Sequence, residues 1–174
     1  MTRTDLETAI EEAARAAWKA PEVHLQVLAE RGQTIAPDVI AIPLLKDAAA
    51  AGSPRMIDES EIDDLLFMRP SRAPHPGKTV AIRVVGSSME PSLRDGFIVA
   101  LDMQQQNPAE LANAMVAARD PSGAVTVKYL RRVQDEFLLV SEHTSTDYNP
   151  ILLSREPGWS IIGKVLWWIG EPKK

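Results

Sequence analysis

The sequence predicts a mostly β fold: a compact β domain preceded by a short helical N-terminal arm. Two patterns lead to this prediction. Short apolar segments with two-residue alternation follow one another from residue 78 onward, and turn signals separate them. The length of the chain is consistent with this fold, because 174 residues, of which 45% are hydrophobic, suffice for one core and an arm. We therefore divide the chain into a helical arm (1–32), a linker (33–77) and a β domain (78–174).

The arm is predicted to contain two helices. Thr4, with a glutamate three positions later, has the signature of a capping box at the start of a helix over 4–18. Apolar residues recur through that range at helical spacing. Pro21 suits the first turn of a second helix over about 21–31. From 33 to 77, six prolines predict turns and extended segments instead of helices.

The β domain is predicted to contain six strands. Turns rich in glycine, proline and aspartate separate them. Short strands joined by regular turns are typical of a mostly antiparallel sheet. The predicted ranges are 80–85, 97–101, 114–118, 124–130, 137–141 and 160–168.

The composition excludes several classes of function. A net charge of −5 provides no basic surface for nucleic acid. The absence of cysteine excludes a thiol nucleophile, a disulfide framework and a thiolate metal site, and it fits the reducing cytoplasm. The three histidines lack the spacing of metal ligands, so we expect no metal and no cofactor. Without a signal peptide or a long apolar run, we expect a cytoplasmic protein with no membrane partner.

Two distant segments carry residue types that can act together in catalysis. Ser88 lies in a glycine-led turn at 86–89, where Gly86 lets the backbone bend and Met89 can anchor the turn in the core. Lys128 interrupts an apolar strand. A serine hydroxyl is a weak nucleophile until a base takes its proton, and burial lowers the pKa of a lysine so that it can be that base. If the two side chains meet, they form a Ser-Lys dyad for peptide hydrolysis. Otherwise they are a turn residue and a solvent-facing charge.

Three motifs resemble those of the self-cleaving LexA-like peptidase family, which includes LexA repressors, phage repressors and the mutagenesis protein UmuD. The resemblance covers roughly residues 42–170. It implies a serine peptidase on a β-rich fold, with Ser88 as nucleophile and Lys128 as general base. Gly86 and Met89 would shape the turn that supports the oxyanion. The motifs occur in the family's order as Gly86-Ser87-Ser88-Met89, Leu93-Arg94-Asp95-Gly96 and Val125-Thr126-Val127-Lys128-Tyr129-Leu130.

A cleavage site is predicted upstream of the serine. The family cuts itself at an Ala-Gly or Cys-Gly bond in a loop that can reach the dyad, and the resemblance therefore assigns this role to Ala51-Gly52. Small residues let an extended segment enter a narrow site, and Gly52 permits a sharp bend. The other interpretation of this segment is an alanine-rich linker.

We do not expect this chain to bind DNA itself. Residues 1–51 contain five Lys or Arg and eight Asp or Glu, and the resulting net charge of −3 opposes phosphate binding. In the family, a RecA filament on single-stranded DNA commonly stimulates cleavage, so the resemblance implies such a filament or another protein as trigger. A homodimer is also expected, and Trp167, Trp168 and the final strand are the candidate self-association surface.

Three hypotheses for the function follow. The leading one is self-cleavage at Ala51-Gly52 as a regulatory switch in a stress, DNA-damage, phage or defence response. The second is a UmuD-like dimeric regulatory module in which self-cleavage is secondary or lost. The third is a protease that cuts another protein in trans.

Overall fold

The computed structural model describes residues 23–24, 27–28, 34–35, 38–51 and 57–170. Within these residues, no helix is long and apolar enough to span a membrane. Short 3-10 helices connect some of the strands, at Ala48–Ala50, Glu59–Glu61, Pro70–Arg72 and Pro76–Lys78. The strands are β1 (Val23–His24), β2 (Val27–Leu28), β3 (Thr34–Ile35), β4 (Asp38–Leu45), β5 (Ile62–Met68), β6 (Thr79–Arg83), β7 (Ile98–Asp102), β8 (Met115–Arg119), β9 (Val125–Val133), β10 (Glu136–Val140), β11 (Ile151–Leu152) and β12 (Ser160–Ile169).

One large sheet contains ten of the twelve described strands, and the prediction of a mostly β fold is confirmed. The strand order is β1-β4-β6-β7-β12-β8-β9-β10-β11, with β5 paired to β4. The pairings in this sheet are antiparallel except the single contact between β4 and β6. Strands β2 and β3 pair with each other separately. Strand β12 lies between β7 and β8, so it joins the β6–β7 part of the sheet to the β8–β9 part.

The N-terminal arm differs from the prediction. Strands β1 and β2 lie inside the range 21–31, so the helix predicted there is wrong for these four residues. Strand β1 pairs antiparallel with β4 through Val23 and Val39. A β-branched valine in each short strand favours extended backbone, and pairing with β4 outweighs the weak helical preference of β1. The helix predicted over 4–18 lies outside the described residues.

Three strands, β3, β4 and β5, lie in the segment 33–77, which the sequence describes as a linker of turns and extended stretches. Strand β4 pairs along its length with β5, from Ile40 opposite Met68 onward. It meets β6 at one position only, Leu44 opposite Ala81. Pro43 therefore stands beside an interrupted ladder, where its missing N–H is tolerated. This proline-containing segment thus supplies part of the sheet.

The six strands predicted from residue 78 onward are present as β6 to β10 and β12, each within three residues of its predicted ends. Apolar clusters lie on both faces of β8 and β9. The main core contains Ala117, Val127 and Ala51, and the second core contains Val116 and Leu130. Because successive side chains of a strand point to opposite faces, this division fixes the direction of every side chain on β9.

Candidate active site

The serine turn follows β6 and is fixed at both ends. Gly86 has a φ of 87°, which glycine adopts without strain, and its N–H donates to Oδ1 of Asp95 at 2.8 Å. Met89 is buried in the main core, and its carbonyl accepts from the N–H of Leu93 at 2.7 Å. The turn thus holds Ser88 between a bent backbone and an anchored methionine.

The loop that follows β10 binds the same turn. The N–H groups of Glu142 and His143 both donate to the Ser88 carbonyl oxygen, each at 3.1 Å. The hydroxyl oxygens of Ser87 and Tyr148 lie 3.0 Å apart, within hydrogen-bonding distance. These contacts fix the backbone of Ser88 and leave its side chain to a different partner.

That partner is Lys128. It lies on β9 opposite Val116 of β8, and its side chain is only 7% exposed. Its Nζ is 2.6 Å from Oγ of Ser88, 2.9 Å from Oγ1 of Thr126 and 3.2 Å from the carbonyl oxygen of Val127. The two residues that the sequence singles out, forty positions apart, are therefore in direct hydrogen-bonding contact.

Burial lowers the pKa of Lys128 from 10.5 to about 8, because the ammonium form loses hydration. Among the described residues, the hydrogen-bond partners of Nζ are two hydroxyls and a carbonyl, none of which carries a charge that would restore the ammonium form. A hydroxyl in contact with an amine of lowered pKa is the arrangement that an activated serine nucleophile requires.

Four residues of this site were missed as functional positions by the sequence interpretation. The sequence did indicate Thr126, because it lies two residues before Lys128 and therefore on the same face of the strand. Glu142, His143 and Tyr148 contact the serine turn through loop packing, which no periodicity or motif indicates.

The predicted cleavage segment is held on the sheet. Ala51 is fully buried, and its N–H donates to the carbonyl oxygen of Ala48 at 3.0 Å. Its own carbonyl oxygen accepts from Nη2 of Arg119, which also donates to the Ala49 carbonyl oxygen at 2.9 Å. No hydrogen bond among the described residues joins the Ala51 carbonyl to the serine turn. Gly52 lies outside the described residues, so only the alanine side of the predicted bond is described.

The histidines have structural contacts. Nδ1 of His75 is 2.8 Å from Oδ2 of Asp102, a fully buried carboxylate at the end of β7. The ring of His143 packs edge-on against Tyr148, with 5.7 Å between ring centroids. The His24 side chain lies outside the described part of the chain.

Comparison with known proteins gives one family. The sequence model of the Peptidase S24-like family matches residues 43–166, which include the serine turn, β9 and the segment before Gly52. No curated protein matches the chain significantly.

Proposed function

Since the chain belongs to the Peptidase S24-like family, we propose that it is a serine peptidase that cuts its own Ala51-Gly52 bond, with Ser88 as nucleophile and Lys128 as general base. The observation that carries this proposal is the 2.6 Å separation between Nζ of Lys128 and Oγ of Ser88. The lowered pKa of Lys128 supports it, because only the neutral amine can accept the serine proton.

In the first step, neutral Lys128 takes the hydroxyl proton of Ser88 as Oγ attacks the carbonyl carbon of Ala51. The carbonyl electron pair moves to oxygen and gives a tetrahedral oxyanion. The Lys128 ammonium then donates its proton to the Gly52 nitrogen, and the carbon–nitrogen bond breaks. The segment ending at Ala51 is left as an ester on Ser88, and the amine of Gly52 departs.

In the second step, Lys128 is neutral again and takes a proton from water as the water oxygen attacks the ester carbonyl. The collapse of this second intermediate breaks the ester bond, and the proton returns to Oγ of Ser88. The segment ending at Ala51 is released as a carboxylic acid, which loses its proton to the solvent, and the dyad recovers its starting state.

The N–H groups of Ser88 and Met89 are the proposed donors to the oxyanion. Neither has a hydrogen-bond acceptor among the described residues, and both belong to the turn fixed by Gly86 and the buried Met89 side chain. Two unused donors on a fixed backbone suit a developing negative charge, because they need no reorganisation as it forms.

The test is fragment analysis by mass spectrometry after incubation at alkaline pH. The wild-type chain is expected to give fragments 1–51 and 52–174, and Ser88→Ala and Lys128→Ala are expected to give neither. Ser154→Ala and Lys78→Ala, at exposed positions away from the dyad, are matched controls that should cleave normally. Cleavage at this bond in Ser88→Ala would refute the proposed nucleophile. Adding active protein to Ser88→Ala protein distinguishes cleavage in trans from self-cleavage.

We propose that this cleavage is a regulatory switch in a stress, DNA-damage, phage or defence response. A RecA-type filament or another protein would then act as the trigger. This role extends the family assignment, and its test is a comparison of cleavage at neutral pH with and without an activated filament on single-stranded DNA.

A second candidate is a dimeric regulatory module in which cleavage is secondary. The observation that favours it is the exposure of Trp168 and Ile169 at the end of β12, 44% and 42% respectively. Trp167 is engaged within the chain, because its indole N–H donates to the carbonyl oxygen of Arg72 at 2.9 Å. Sedimentation of the Ser88→Ala protein and of a Trp168→Ser, Ile169→Ser variant tests this candidate. It is supported if the Ser88→Ala protein is a dimer and the double variant is a monomer. It is contradicted if the Ser88→Ala protein is a monomer.

A further inference from the structure

Arg119 stands at a fixed point of the sheet. It is the last residue of β8, and its backbone pairs with Val125 of β9 on one side and with Ser160 of β12 on the other. From this position its guanidinium donates to the carbonyl oxygens of Ala49 and Ala51. One side chain on the sheet therefore binds two backbone groups of the segment that precedes the proposed scissile bond.

Ala51 and the Lys128 side chain lie on different faces of β9. Ala51 is buried in the main core together with Ala117 and Val127. Lys128 follows Val127 by one residue, in a part of β9 with regular pairing, so its side chain leaves the strand on the opposite face. Leu130, two residues further along that face, belongs to the second core.

The same oxygen atom has two possible partners in the proposed reaction. For attack by Ser88, the Ala51 carbonyl oxygen must reach the donors of the serine turn. In the structure it accepts from Arg119 instead. A guanidinium is well suited to this contact, because its planar array of N–H groups can bind two neighbouring carbonyls, whereas a lysine ammonium provides a compact point charge.

We propose that Arg119 is a positioning residue that holds the Ala51 carbonyl off the N–H donors of the serine turn and thereby sets the basal rate of self-cleavage. The proposal rests on the proposed function for its effect on rate, but the retention itself does not require an active dyad. Arg119 contacts neither Ser88 nor Lys128 through any hydrogen bond among the described residues, so its effect is exerted through the position of the substrate segment.

The first measurement uses Ser88→Ala protein, in which the segment stays intact. The N–H groups of Ala49, Ala50 and Ala51 are hydrogen-bonded to Asp47 and Ala48, so their hydrogen exchange reports whether the segment keeps its place. Adding Arg119→Met keeps an apolar stem and removes both donated hydrogen bonds. Exchange in this segment is expected to become at least about tenfold faster, since the loss of one charge-assisted hydrogen bond alone has about this effect. Arg155→Met, at an exposed loop position, is the matched control. Unchanged exchange in Arg119→Met overturns the retention.

The second measurement is the cleavage rate in the active chain. Arg119→Met is expected to cut at Ala51-Gly52 about tenfold faster than wild type, and Arg119→Lys, which keeps the charge, is expected to fall between them. A slower or equal rate in Arg119→Met overturns the assignment. If no variant cleaves, the proposed function fails, and the exchange experiment still decides whether Arg119 holds the segment. Thermal unfolding of each variant identifies a general loss of stability, which would speed exchange throughout the sheet and count against a local role.

Discussion

The dependence of cleavage on pH tests the dyad most directly, because only neutral Lys128 can act as base. With a pKa of about 8, the neutral fraction is about 9% at pH 7 and about 91% at pH 9. The rate of self-cleavage is therefore expected to rise about tenfold between these values and to level off above pH 9. A lysine with its ordinary pKa of 10.5 would give a rise of about 100-fold over the same interval, with no plateau.

The assay follows loss of the intact chain by mass spectrometry at closely spaced pH values from 6 to 10, with fragments 1–51 and 52–174 as products. Ser88→Ala provides the background of uncatalysed hydrolysis. Circular dichroism at each pH checks that the sheet remains folded. A midpoint near 8 agrees with the burial of Lys128 among uncharged partners. A profile that climbs 100-fold from pH 7 to 9, or one that is flat, refutes the argument that burial makes this lysine a base.

Two further predictions concern the same amine. The first compares Ser88→Ala protein that keeps Lys128 with the same protein carrying Lys128→Met. Between pH 7 and 10.5, the free energy of unfolding of the protein with Lys128 should rise by about 3 kcal/mol relative to the Lys128→Met protein. The reason is that the unfolded chain keeps the lysine proton up to a higher pH than the folded chain does. Urea unfolding of both proteins at the two pH values measures this gain, and a difference that stays constant contradicts it. Thr126→Val should lower the plateau rate of cleavage about tenfold and move the midpoint to lower pH, since it removes a hydroxyl that accepts from the ammonium. Thr146→Val is the control, and an unchanged midpoint would show that Thr126 does not contribute to the pKa.

The fold was predictable where strand pattern and turn chemistry agree. From residue 78 onward, short apolar segments bounded by turn residues located six strands, and β6, β7 and β8 are accordingly buried on both faces. The arm was harder, since β1 gains its structure from pairing with β4 and not from its own sequence. Strand β4 contains Pro43, a residue type that normally argues against a central strand, and β4 accordingly pairs with β6 at one position only.

The two central side chains of the candidate site were predictable from the sequence, but the residues that support them were not. Ser88 and Lys128 carry motif signals, and the structure brings their side chains together. The contacts of Glu142 and His143 with the Ser88 carbonyl depend on how a loop packs after the sheet has formed. The contact of Arg119 with the alanine segment likewise joins residues distant in sequence, and a single charged residue at a strand end gives no pattern that indicates it.

The position of β12 in the sheet has a consequence for the order in which the sheet can assemble during synthesis. Ser88 follows β6 on one side of this strand, and Lys128 belongs to β9 on the other. A ribosome makes β12 after every other described strand, so a growing chain carries Ser88 and Lys128 before it has the strand that lies between their two parts of the sheet. Strands β7 and β8 therefore become parts of one sheet only when β12 is added between them.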